Sequence, residues 1–243
     1  MRHAYIFLAA ALIFISACIQ GVVMRDKLTV DGVTITWLGH ASFMIEGSKV
    51  VYVDPFVLQA NATKADYIAI THEHFDHCAP DKVAMIQSAE TRIITPHGCL
   101  EKLSGKTNSI TVPGDYFAYG DGVRFDAVPA YNTNKSFHPK DFGIGYVITI
   151  DSVRIYHAGD TDNIPDMANL TGIDVALLPI GGTYTMNADE AAAAAKAIKP
   201  RIAVPMHFSS SRYGVSGIDA DPQRFADLLK NSGIEVVILK PQA

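Results

Sequence analysis

Twice along this chain a run of hairpin-forming strands gives way to strands that alternate with helices, and that repeated order is what limits the fold most. In the first half, "LTVDGVTITWLG" reads as two strands about an Asp31-Gly32 turn, and "SFMIEGSKVVYVDP" as a second hairpin about Gly47-Ser48. "DYIAITH" follows as a short, nearly continuous apolar strand, the kind buried on both faces. "APDKVAMIQSAE" reads as a helix, "RIITP" as a strand and "HGCLEKL" as a short helix. The second half repeats the habit. "DGVRFDAVPA", "GIGYVITI" and "VRIYHAG" are strands, the last two joined at Asp151-Ser152; then come strand "VALLPIG", helix "ADEAAAAAKAIK", strand "RIAVPMH", helix "DPQRFADLLKNSG" and strand "EVVIL". Asn187 and Glu190 form a capping-box pattern at the alanine-rich helix, and Pro200 stops it. The order predicts two sheets packed face to face with helices outside. No low-complexity linker parts the halves, so residues 25–243 are expected to form one domain.

At 243 residues, 49% hydrophobic and 19% charged, the chain can bury a sizeable core. A net charge of -5 with no run of lysines or arginines leaves no electrostatic footprint for nucleic acid and no polybasic membrane patch. Nothing in the pattern specifies an oligomeric state.

The N-terminus does point to a location. "MRHAYIFLAAALIFISAC" has a basic start at Arg2, an apolar stretch, and small residues before Cys18, the layout of an export signal over residues 1–18. Its apolar part is shorter than the about 20 residues a membrane span needs. "ISAC" resembles a lipobox, in which the cysteine is lipidated and becomes the first mature residue; an uncleaved anchor helix running on through "IQGVV" is the alternative. Either puts the folded part outside the cytoplasm and on a membrane. Without Cys18, Cys78 and Cys99 remain, and they could form a disulfide in an oxidising compartment or stay as thiols, Cys78 beside a cluster of histidines.

That cluster is "THEHFDHC", Thr71 to Cys78, with three histidines, two acids and a cysteine. His72 and His74 stand two apart at the end of a strand, so alternation points their side chains the same way, while Asp76 and His77 lie on the loop entering the helix. Imidazole suits zinc and iron, and a carboxylate adds an anionic oxygen ligand. Asp160 in "YHAGDTD" and His207 in "VPMHF" also close strands, which makes them further candidates.

"THEHFDH" is similar to the HxHxDH signature of the metallo-β-lactamase superfamily, and the similarity continues in order through "WLGHASFMIE", "VDP", "HAGDTD", "LLPIGGTYTM" and "PMHF". The resemblance implies an α+β fold, a four-layer αββα sandwich, with a site along one edge of the sheets. It implies that His72 and His74 bind a first metal, Asp76 and His77 a second, that Asp160 bridges both, and that His207 completes the second. Histidine at position 74, where the diiron oxygen reductases of this fold usually carry glutamate, favours a hydrolytic site with two divalent ions, zinc before manganese or iron. "LGHASFMIE", "AYNTN" and "LLPIGGTYTM" look most like the branch with L-ascorbate-6-phosphate lactonase and N-acyl-phosphatidylethanolamine phospholipase D. The expected activity is hydrolysis of a small-molecule ester, lactone or phosphodiester by a metal-bridging hydroxide, with Asp76 holding that nucleophile. A non-catalytic ligand- or metal-binding lipoprotein on the same scaffold is the alternative.

Supporting positions follow. Asp54 in "VYVDP" is a candidate for fixing a metal-bound histidine from behind, and His40 after "WLG" for lining the site. His157 should face away from Asp160, and His97 should lie on the surface. One departure stands out. The first metal's third ligand in this superfamily is a histidine shortly after a strand ending in "VPA", and here "VPAYNTNKSFHPK" places Asn132 there, with His138 six residues on. Either the loop carries His138 back to the site, as ligand or substrate contact, with Asn132 next to the first metal, or Asn132 or a water fills the gap. Lys135 and Lys140 on the same loop would suit an anionic substrate.

Overall fold

A computed structural model describes residues 24–103 and 112–243, and between them the backbone of Thr107–Ile110. The expected signal and its Cys18 lie outside the described residues. The first half runs β1 (Met24–Arg25), β2 (Leu28–Val30), β3 (Val33–Gly39), β4 (Ser42–Glu46), β5 (Val50–Val53), β6 (Tyr67–Ala69), α1 (Pro80–Ile86), β7 (Arg92–Thr95), α2 (His97–Leu100) and β8 (Thr107–Ile110). The second runs β9 (Tyr116–Ala118), β10 (Val123–Ala130), β11 (Gly143–Ile150), β12 (Val153–His157), β13 (Val175–Pro179), α3 (Ala188–Ile198), β14 (Ile202–Met206), α4 (Pro222–Leu228), β15 (Glu235–Val236) and β16 (Ile238–Leu239).

Strands β2 to β8 form one sheet in sequential order, and β9 to β15 a second. In each, antiparallel hairpins come first and parallel strands with crossover helices follow. One apolar cluster joins the facing sides, with Trp37, Phe43 and Ile45 of the first sheet and Phe125, Tyr146 and Ile148 of the second all buried in it. A smaller cluster, including Ile68, Val83, Ile86, Ile93 and Cys99, lies under α1 and α2 on the other side of the first sheet. Helices α3 and α4 pack against each other, with α3 on β13. This is the αββα sandwich, with one apolar cluster shared between its two sheets.

Local chemistry explains the turns. Asp31 and Gly32, and likewise Asp151 and Ser152, all have positive φ, as a two-residue hairpin turn that matches strand twist requires. Asn187 and Glu190 form the capping box, and Lys199 ends α3 in a left-handed conformation. Four expectations need correction. Helix α4 stops at Leu228, short of the end of "DPQRFADLLKNSG". Helix α1 stops at Ile86, because Ser88 turns the chain by donating its N–H to Thr91 Oγ1 at 2.8 Å. Helix α2 covers only His97–Leu100. "EVVIL" is split: β15 extends the second sheet beside β14, whereas β16 pairs in parallel with β1. Strands β8 and β9 were not foreseen, since neither alternates clearly.

Candidate metal centre

The parallel strands of each sheet point their C-terminal ends toward one edge, and the chemistry-bearing residues follow those ends. His40 directly follows β3, Asp54 follows β5 and His207 follows β14; each has a positive φ, of 52°, 44° and 57°. That conformation costs a non-glycine residue about 1–2 kcal/mol, so the rest of the fold must impose it. Asp160 sits just past Gly159, where a Cβ would come within 2.7 Å of Ile144 O, so the turn that presents Asp160 needs glycine.

His72, His74 and His138 converge: His74 Nδ1 lies 3.0 Å from His72 Nε2 and 3.2 Å from His138 Nε2. The proton positions can be argued from their neighbours. Thr71 donates its hydroxyl to Asp54 Oδ2 at 2.7 Å, which leaves its oxygen to accept from His72 Nδ1 at 3.0 Å. His138 Nδ1 donates to Tyr184 O at 3.3 Å. Both Nε2 atoms therefore keep a lone pair toward the cluster.

The loop does carry His138 back. Asn132 N donates to His138 O at 2.7 Å, and His138 N donates to Asn132 Oδ1 at 2.9 Å. The Asn132 amide nitrogen donates to Asp162 Oδ1 and Tyr184 O. Asn132 thus holds the loop through both ends of its side chain. The Lys135 ammonium group is paired with Asp162 Oδ1 at 2.5 Å and also donates to Thr185 O at 3.0 Å, so its charge is balanced within the loop.

A second group gathers His40, Asp76, His77 and His207. Asp160 lies between the two groups: its Oδ2 is 3.4 Å from His138 Nε2 and 3.2 Å from His207 Nε2, and its Oδ1 is 3.5 Å from His77 Nε2. Asp54 stands behind His77, 2.7 Å from its Nδ1, while also accepting from Thr71 N. That contact leaves His77 Nε2 facing the centre. His40 Nε2 is 3.1 Å from Asp76 Oδ2, and its Nδ1 is 2.8 Å from Ser210 Oγ. His157 is apart from both groups, bound to Ala41 O at 2.9 Å, and His97 is exposed.

His40 Nε2, His77 Nε2, Asp160 Oδ1 and both ring nitrogens of His207 are buried without a hydrogen-bond partner. Leaving such atoms unsatisfied costs about 1–3 kcal/mol each, and of these His77 Nε2 and His207 Nε2 lie against Asp160 while His40 Nε2 lies against Asp76. Imidazole nitrogens and carboxylate oxygens are the donors that zinc, manganese and iron take, so the residues present fit divalent ions. Charge agrees. Burial, aided by His77, holds His72 well below the usual imidazole range, in the neutral form a ligand needs. Burial disfavours charge on His77 too, but Asp160 and Asp54 outweigh it and raise that group. A bound cation can take the place of that proton.

Several participants were missed in the sequence. Thr71, Asp162 and Ser210 contact the candidate ligands or their loop, and only the "T" opening "THEHFDH" and the second acid of "GDTD" hinted at two of them. Cys78 and Cys99 form a disulfide with Cα atoms 6.1 Å apart, which settles a pairing the sequence left open. It anchors the residue after His77 to α2. Among the described residues no helix is long and apolar enough to cross a membrane.

A two-sheet sandwich with histidines and aspartates from both sheets meeting at one edge defines the class of metal-site proteins that the motifs resembled. A family model described as "Beta-lactamase superfamily domain" matches residues 34–207. A UPF0173 metal-dependent hydrolase of Thermococcus kodakarensis is 38% identical over 225 residues, covering 86% of this chain and 97% of the relative. The crystal structure of a proposed metal-dependent hydrolase from Parabacteroides distasonis superposes with a TM-score of 0.78 at 34% identity, over 88% of this chain and 96% of that one. A metallo hydrolase from Ignicoccus hospitalis gives 0.70 at 26% identity, over 86% and 95%. The chain belongs to the beta-lactamase superfamily and, within it, to the UPF0173 metal-dependent hydrolases.

Proposed function

We propose that this chain hydrolyses a small-molecule ester, lactone or phosphodiester at a binuclear centre, with zinc as the metal. The observation that carries the reading is Asp160, whose two oxygens face histidines of both groups. His72, His74 and His138 would hold one ion, Asp76, His77 and His207 the other, and Asp160 both. Bound divalent ions supply Lewis acidity and bring the pKa of water from 15.7 toward about 7, so no serine or cysteine nucleophile is required.

The chain's own residues do the remaining work. Asp54 and Thr71 hold His77 and His72 with their Nδ1 protons directed outward, so both rings stay in the ligating tautomer. Asp76 has 12% of its side chain exposed against 4% for Asp160, and as the more accessible of the two carboxylates it would hold and orient the attacking water. Phe75, 66% exposed, and Phe137, 45% exposed, each adjoin a candidate ligand and offer apolar surface at the mouth.

The same reading places the folded domain outside the cytoplasm, tethered by Cys18. The Cys78–Cys99 disulfide supports this, since disulfides persist in oxidising compartments. The test is to load the full chain with zinc, manganese or iron and assay one ester, one lactone and one phosphodiester, with Asp160→Ala as control. Turnover of any one that the control abolishes supports the proposal. Metal binding without turnover of all three leaves the non-catalytic binding lipoprotein as the better reading.

A further inference from the structure

The second group holds one more buried imidazole than the superfamily resemblance assigns. We infer that His40 is a further side-chain ligand of the second subsite, beside Asp76, His77 and His207 and in addition to the shared Asp160, so that this subsite is the more enclosed of the two. The inference rests on the metal-centre reading above.

Three observations carry it. His40 is fully buried and its Nε2 has no hydrogen-bond partner; Asp76 Oδ2 is 3.1 Å away, but the pair lacks the alignment of a hydrogen bond. A bare nitrogen held that close to a carboxylate oxygen is unfavourable unless a cation lies where both point. The donor atoms of His40, Asp76, His77 and His207 all lie within 4.8 Å of one another, with the His40 and His207 rings 4.1 Å apart. The other end of the ring is built as in the accepted candidates. His40 Nδ1 meets Ser210 Oγ at 2.8 Å, as His72 Nδ1 meets Thr71 and His77 Nδ1 meets Asp54. In metal sites the nitrogen not on the metal is held in this way, which fixes the ring's orientation.

The backbone is shaped for this position. Gly39 and His40 both have positive φ, and the Tyr213 ring occupies the space a Cβ on residue 39 would fill. That packing seats the short 3-10 turn Ser210–Tyr213, which carries Ser210, against the end of β3. Trp37 Nε1 and His207 N both donate to His40 O, at 2.9 and 3.0 Å, so the strained residue is pinned from both sheets. The consequence is asymmetry. With Asp160 shared, the second subsite would have five side-chain donors and the first, with His72, His74 and His138, four, so more room for water or substrate is left at the first.

The test uses the full chain in detergent, labelled with heavy nitrogen at histidine and loaded with cadmium. A scalar coupling between the cadmium nucleus and His40 Nε2, alongside couplings to His77 and His207, is the expected result. Couplings to His77 and His207 without one to His40 would overturn the inference and make His40 a positioning partner of Asp76. No coupling to any histidine would sink the metal-centre reading itself. In parallel, His40→Gln should lose one of two cadmium ions and keep the one on His72, His74 and His138. Ser210→Ala should weaken that ion about 10–100-fold while retaining the His40 coupling. Full cadmium content and affinity in His40→Gln would count against the inference.

Discussion

Asn132 and His138 hold each other by two reciprocal hydrogen bonds, backbone to backbone at 2.7 Å and backbone to amide oxygen at 2.9 Å. The pair closes the loop after β10 so that a histidine six residues further on occupies the corner where the superfamily pattern has one directly. Asp162 completes the closure by accepting from Asn132, Thr133 and Lys135. The residue that departs from the superfamily pattern is the clasp that holds His138 at that corner.

His138 and Asn132 should therefore fail differently. His138→Ala should lose the ion of the first subsite, whereas Asn132→Ala should keep both ions but bind one about 10–100-fold more weakly. Elemental analysis and competition against a chelator distinguish the two. Equal metal content and affinity in His138→Ala and the unchanged protein would rule out His138 as a ligand.

Asp160→Ala should lose both ions, because its Oδ2 lies between His138 of the first group and His207 of the second while its Oδ1 faces His77. Metal content after dialysis reads this directly. Retention of two ions would show that the groups are independent.

Asp54→Asn removes the charge behind His77 while keeping a side chain that tolerates the positive φ of this position. The amide can still accept from Thr71, so the fold should persist. Metal affinity should fall about 10–100-fold, measured by titration with a chromophoric chelator.

Reduction of Cys78–Cys99 should destabilise the protein. The bond closes a loop with a sequence separation of 21, which in the chain-entropy account contributes about 3 kcal/mol. At this chain length the loss corresponds to a fall in Tm of roughly 6–12 °C. Because Cys78 follows His77, the reduced protein should also release metal at lower chelator concentration. Thermal melts with and without reductant, repeated on Cys78→Ser, check both effects.

Cys18→Ser should block lipidation and alter processing while leaving hydrolysis unchanged, since Cys18 precedes the folded domain. Labelled lipid that never enters the unchanged chain in a lipidating host would favour the uncleaved anchor.

How far the sequence reached can be read from particular residues. The two hairpin turns, the capping box of α3 and the strand order were legible because each depends on near neighbours: Asp31-Gly32 and Asp151-Ser152 permit positive φ, and Asn187 reaches only to Glu190. The extent of α1 and the division of "EVVIL" were not, since β15 and β16 are assigned by partners more than thirty residues away, β14 and β1. For the site, strand-end histidines and aspartates announced themselves by type and spacing. Tertiary structure alone decided that Asn132 clasps the loop, that Lys135 pairs with Asp162, that Cys78 reaches Cys99, and that the His40 ring from the first sheet lies 4.1 Å from that of His207 from the second. Donor identity is written in each residue, but the partner each one meets depends on how loops and strands fold together, within one half of the chain for the first three pairs and across the two sheets for the last.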